Sequence, residues 1–143
     1  MKQWLTLCFA LFVIASPVKA GSYQQLTDND EIRKIFLGHT LKGVELDSGA
    51  TWTEYYDESG KVCFQIGDYY AGGRWLVTEG EACFQYEDNQ DVLCYVVLEK
   101  DSAYYMAYTN GPNAGEIGFR VTERLEGNVE YLGLDAACSG GGT

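Results

Sequence analysis

The chain has 143 residues, of which 46% are hydrophobic and 14% aromatic, and it carries 21 acidic residues against 10 basic ones for a formal net charge of −11. That balance excludes nucleic acid and anionic lipid as partners, since both would be repelled, and permits a cationic one; it also favours solubility. The length is that of one domain.

The first twenty residues have the pattern of an export leader. Lys2 gives the positive start, residues 4–16 are an apolar run, and Val18 and Ala20 sit at the −3 and −1 positions of a cleavage site before Gly21. The run is shorter than the roughly 20 residues that a spanning helix needs, so it predicts a removed leader rather than a membrane anchor. The leader holds Lys2 and Lys19 and no acid, so residues 21–143 keep 8 basic residues against 21 acidic, a net charge near −13. The expected address is periplasmic or secreted.

Residues 21–25 read as a frayed start. Thr27, Asp28, Asn29, Asp30 and Glu31 then give a helix start, with short polar oxygens to cap free N–H groups and acids near the positive helix end. Ile32, Ile35 and Phe36 share a face, and Gly38 closes the predicted helix of residues 29–37. After Gly38 the hydrophobic period becomes two. Strands are predicted over 39–44, 50–57, 61–66, 74–78, 82–86, 92–98, 103–108 and 116–121, with turns between them and a break at Gly72-Gly73. Eight short strands with turn residues between them read as an antiparallel meander. The expected fold is mainly β: an antiparallel barrel or sandwich of about eight strands with one short N-terminal helix. Residues 125–137 are less regular, and 139–143 read as a flexible Gly-rich tail.

Cys8 leaves with the leader. Cys63, Cys83, Cys94 and Cys138 remain, an even number in an exported chain, which predicts two disulfides. Cys83 and Cys94 are symmetric about Asp88-Asn89. A hairpin centred there makes them a cross-strand pair of the closer, non-hydrogen-bonded type. Cys63 with Cys138 follows by elimination.

Several segments come in a familiar order: Gly38-His39-Thr40-Leu41-Lys42-Gly43, Tyr55-Tyr56-Asp57-Glu58-Ser59-Gly60-Lys61-Val62, Gly73-Arg74-Trp75-Leu76-Val77, then Ala82-Cys83-Phe84-Gln85-Tyr86 and Cys94. Over about residues 26–108 the chain resembles a family of small exported bacterial proteins classed only as a domain of unknown function. That resemblance implies a Gram-negative periplasmic address and brings no activity or catalytic residue. Cys63 and Cys138 are not part of the family's outline.

The sequence offers no catalytic set. His39 is the single histidine, no nucleophile elbow accompanies it, and beside Thr40 it reads as a surface or half-buried strand residue. Glu54, Asp57 and Asp68 are the candidates for a carboxylate pair of the kind that glycoside hydrolysis needs. The stretch Glu87-Asp88-Asn89-Gln90-Asp91 is oxygen-rich enough for calcium but lacks the spacing of a calcium loop, and it reads as turn chemistry. No zinc or phosphate motif is present, and no metal or cofactor is expected. The aromatic residues exceed what a small core needs. Adjacent pairs put one ring on each side of a strand, so Trp52, Tyr55, Tyr56, Tyr69, Tyr70 and Trp75 are the candidate binding face.

These features point to a non-enzymatic periplasmic binding or interaction protein acting at the cell envelope, with an envelope glycan or a cationic protein as partner. Two alternatives stand beside it. One is a secreted inhibitor of a basic enzyme such as lysozyme, for which Ser48-Gly49-Ala50-Thr51-Trp52 only approximates the S-G-x-x-Y loop associated with such inhibitors. The other is a carboxylate-based hydrolase. A lipid carrier requires an apolar cavity of a few hundred Å³ inside the barrel.

Overall fold

The computed structural model describes residues 22–130, 132–134 and Cys138; the leader and the 139–143 tail read from the sequence lie outside them. The fold is a closed eight-stranded antiparallel β-barrel with one extra strand and one short helix. In chain order the elements are β1 (Gln24–Gln25), α1 (Asn29–Phe36), β2 (His39–Glu45), β3 (Thr51–Tyr56), β4 (Lys61–Ile66), β5 (Tyr69–Thr78), β6 (Glu81–Tyr86), β7 (Leu93–Lys100), β8 (Ala103–Tyr108) and β9 (Ile117–Glu126). From β2 onward each strand pairs with the next, and β9 returns to pair with β2. Closure removes the free edges that an open meander would leave.

Three segments depart from the sequence expectation. Residues 24 and 25 are not frayed. β6 stops pairing with β7 at Val96, and β1 takes the vacant edge beyond it, with Gln25 opposite Leu98 and the Leu26 amide donating to the Val97 carbonyl at 2.9 Å. Gly72 and Gly73 do not break β5, which starts at Tyr69. A Cβ on Gly73 would lie 2.3 Å from the Gln85 carbonyl oxygen, so glycine lets β6 approach there. β9 runs to Glu126, past a register shift opposite Lys42 and Gly43.

The helix closes one end of the barrel. Asp28 caps it by accepting from the Asp30 and Glu31 amides, each at 2.9 Å. Ile32, Ile35 and Phe36 face inward, and the Phe36 ring packs against Tyr56, Trp75 and Phe84. At the other end of the helix, Arg124 of β9 donates to the Ile35 and Lys34 carbonyls at 3.0 and 2.7 Å. The expected disulfides are both present, with Cα atoms 5.8 Å apart for Cys63–Cys138 and 4.1 Å for Cys83–Cys94.

The alternation within strands sets the interior. Trp52, Glu54 and Tyr56 of β3 point inward and meet Val62 and Phe64 of β4, Trp75 of β5, Phe84 and Tyr86 of β6, Tyr95 and Val97 of β7, and Met106 of β8. Outside the wall, Cys63 is buried by Leu132 and its partner Cys138, with Tyr55, Tyr70 and Leu134 packed around them. Thr40 anchors the approach of that strap, donating to the Gly127 carbonyl at 2.6 Å and accepting from the Val129 amide at 3.2 Å. Among the described residues no helix is long and apolar enough to cross a membrane.

Candidate functional site

The antiparallel meander sends alternate connections to opposite ends. The helix, the 57–60, 79–80 and 101–102 turns and the end of β9 gather at one end. The 46–50, 67–68, 87–92 and 109–116 connections gather at the other, called here the loop end. The loop end carries Glu45, Asp47, Asp68, Glu87, Asp88, Asp91 and Glu116, and none of its connections contains a Lys or Arg. All of these acids except Glu45 are exposed. The helix end mixes both signs.

Local hydrogen bonds order these connections. Ser48 donates to Glu45 Oε2 at 2.5 Å and accepts from the Ala50 amide at 3.1 Å, which fixes the turn where Gly49 adopts a φ of 72°. Asn89 accepts from the Asp91 amide at 3.0 Å, and the Gln90 carbonyl accepts from Gln85. Tyr69 donates to Asp88. Asn110 bridges two connections, accepting from the Cys94 amide at 3.0 Å and donating to the Val92 carbonyl at 2.7 Å. Within residues 87–91 the Asn89 side chain and the Gln90 carbonyl thus serve turn chemistry.

Below the loop end the barrel interior holds one ionisable carboxyl among the described residues. Glu54 is 4% exposed, and its Oε2 accepts a 2.5 Å hydrogen bond from the Tyr86 hydroxyl. The Tyr56 hydroxyl faces the same carboxylate, near enough to favour its charge but outside normal hydrogen-bond geometry. Burial raises the Glu54 carboxyl to about 7, against the smaller opposing pull of the two phenols. The same burial pushes Tyr56, Tyr86 and Tyr95 above the ordinary tyrosine range. A cavity of about 30 Å³ lies beside Glu54, lined by Trp52, Phe64, Phe84, Tyr86, Tyr95, Met106 and Phe119. That space takes one or two water-sized groups. It is far too small for a lipid.

The four candidates for hydrolytic chemistry occupy four separate places. Glu54 is inside the barrel. Asp57 caps the β3–β4 turn by accepting from the Ser59 hydroxyl and, at 3.0 Å, from the Ser59 amide; the hydroxyl bond foremost holds its carboxyl below the usual range. Asp68 is exposed in the β4–β5 turn, and His39 sits at the barrel seam, its Nδ1 2.7 Å from the Leu37 carbonyl oxygen. No carboxylate pair forms among them.

The six aromatic candidates do not form one outward face. Trp52, Tyr56 and Trp75 are buried inside the barrel, and this corrects their assignment to a binding surface. Inward positions on neighbouring strands meet around a closed barrel, so these rings fill the core. Tyr55 and Tyr70 do point outward, but Leu132, Leu134 and Cys138 pack over them. Tyr69 alone is open, 49% exposed at the loop end.

Among the described residues, the one cluster with metal-ligand spacing is Glu81, Cys83 and Cys94, whose two sulfurs are bonded to each other. An outer groove of about 450 Å³ runs past Lys61, Arg74, Gln85, Asn89 and Gln90. Lys61 and Arg74 face each other across β4 and β5, a like-charge pair in an acidic protein.

What sequence reasoning missed is the isolation of Glu54. The alternation Trp52, Glu54, Tyr56 carried the signal: it puts the carboxylate on the same strand face as two large rings. No protein-family model, no curated protein and no solved structure matches this chain.

Proposed function

We propose that this is a non-enzymatic periplasmic binding protein of the cell envelope that docks a cationic protein on the loop end of its barrel. One observation carries the reading: seven carboxylates surround that end with no basic residue in its connections, above an interior too full for a large substrate. A one-sign surface of this kind steers an oppositely charged protein into contact and speeds association. Two disulfides fit an oxidising, extracytoplasmic environment. The leader pattern and the likeness to exported bacterial proteins agree with a periplasmic address. A glycan partner is less favoured, because stacking needs open rings and the strap covers Tyr55 and Tyr70.

A secreted inhibitor of a basic enzyme such as lysozyme is the second reading. It is favoured by the position of the 46–50 connection, which carries Ser48 and Gly49 and projects at the same acidic end, although Trp52 itself points into the barrel.

The test measures binding of lysozyme and of cytochrome c, a basic protein without lytic activity, at low and high salt. It compares the native chain with a variant carrying Asp47→Asn, Asp68→Asn, Asp88→Asn, Asp91→Asn and Glu116→Gln. The expected result is salt-sensitive binding that the variant loses by about tenfold or more. Equal binding by the variant, or no binding of either protein, overturns the docking reading. Slowed cell-wall lysis in excess protein supports inhibition, and an unchanged lysis rate removes it.

A further inference from the structure

Glu54 lacks a counter-charge. No Lys, Arg or His among the described residues approaches it; its neighbours are phenols and rings. A buried carboxylate without a cation is costly to keep ionised. The Tyr56 hydroxyl and the Trp52 indole nitrogen are also buried without a hydrogen-bond partner, and Oε2 of Glu54 is the oxygen that accepts from Tyr86. Buried polar atoms without a protein partner, beside a small cavity, suit a guest that brings its own donors and acceptors.

The loop end is the less enclosed end of the barrel, with the inward Trp52 ring there 2% exposed. At that end the inward side chains Phe64, Ile66, Leu93, Tyr108 and Phe119 are only half-buried, whereas Tyr56, Val62, Phe84 and Val97 nearer the helix are fully enclosed. The interior is therefore a cup with aromatic walls, an acidic rim and a carboxylate at its floor.

We propose that this cup takes a primary ammonium group, delivered by a small alkylamine or by a lysine side chain of a docked protein, with Glu54 as its counter-ion. The three N–H bonds of an ammonium match Oε1 of Glu54 and the phenol oxygens of Tyr56 and Tyr86. The ring faces of Phe64, Phe84 and Phe119 add cation–π attraction. A space of about 30 Å³ admits an ammonium tip and one water, which can accept from the Trp52 N–H, but not a guanidinium or a trimethylammonium group. An alcohol lacks the charge, and a carboxylate is repelled by both Glu54 and the rim. The lysine source rests on the docking reading; the alkylamine source does not.

The test is a titration followed by intrinsic tryptophan fluorescence, with n-butylammonium, n-butylguanidinium and 1-butanol as probes at constant ionic strength. Saturable binding of n-butylammonium is expected, with the other two at least about tenfold weaker. Glu54→Gln abolishes it. Tyr86→Phe, which keeps the carboxylate, weakens it several-fold. The titratable groups facing Glu54 are Tyr56 on its own strand, Tyr86 on β6 and Tyr95 on β7, all raised, so Glu54 alone changes charge near neutrality. Affinity in the native chain should rise about tenfold per pH unit toward pH 7 and then level off. Butylammonium binding no tighter than butanol, equal binding by Glu54→Gln, or a flat pH profile overturns the site, and the profile decides the matter should the variant not fold. Weaker lysozyme binding by Glu54→Gln identifies a lysine as the source, and unchanged lysozyme binding identifies the free amine. The loop-end charge variant reads the docking surface separately.

Discussion

Tyr86 on β6 donates its phenol hydrogen to Glu54 on β3, joining opposite regions of the barrel wall through the core. The contact is satisfied whether or not Glu54 is ionised, but burial favours the neutral acid. With the carboxyl near 7 in the fold and near the ordinary 4.5 when unfolded, the native state holds a proton that the unfolded chain releases in between. Glu54 therefore contributes its full stabilisation below pH 4.5 and loses it as pH rises toward 7, a change of about 3 kcal/mol. Denaturant midpoints for native and Glu54→Gln proteins across that range check this. The variant should lack this part of the decline; identical profiles would falsify the assignment.

Breaking the Cys63–Cys138 bridge should cost more than breaking Cys83–Cys94. The first spans 75 residues and the second 11, so loop-closure entropy gives about 4 kcal/mol against about 3 kcal/mol. Loss of the first also frees the strap, so Cys63→Ser should raise the exposure of Tyr55 and Tyr70 in a tyrosine-modification assay. In Cys83→Ser, Cys94 alone should react with a thiol reagent. Reaction at Cys63 would mean another connectivity.

Gly43 sits where a Cβ would lie 2.2 Å from the Arg120 carbonyl oxygen and 2.6 Å from the Trp52 ring. Both neighbours belong to the barrel wall or core and have little room to move. Gly43→Ala should destabilise by about 2–3 kcal/mol or more and perturb the near-ultraviolet signal of Trp52. A loss below 1 kcal/mol would show that β2 and β9 can separate there at little cost.

Phe36→Ala tests the helix as a plug. The ring contacts Tyr56, Trp75 and Phe84 and is 1% exposed, so its removal should cost about 3–5 kcal/mol. Amide exchange in α1 should accelerate ahead of exchange in β3 and β4. Uniform acceleration would mean that the helix and barrel unfold as one unit.

Much of the fold could be read from the residues. The capped helix, the eight strands and the Cys83–Cys94 pair follow from local patterns: short polar caps, period-two alternation and symmetry about a turn. What could not be read depends on contacts across the barrel. Gly73 looks like a breaker until Gln85 is seen to press against it, and Gln24 and Gln25 look unstructured until β6 leaves an edge of β7 vacant. The candidate site fared less well. Composition gave the acidic surplus but not its gathering at one end, which comes from strand order. Trp52, Tyr56 and Trp75 look like a surplus for display until closure turns their strand faces inward.

The seam between β2 and β9 joins Thr40 to Gly127 across 87 residues. A nascent chain cannot make that join until its last barrel strand has been released. Until then it presents two raw borders to its surroundings, so closure has to wait for β9, and a product stopped before that strand would be a substrate for quality-control proteases.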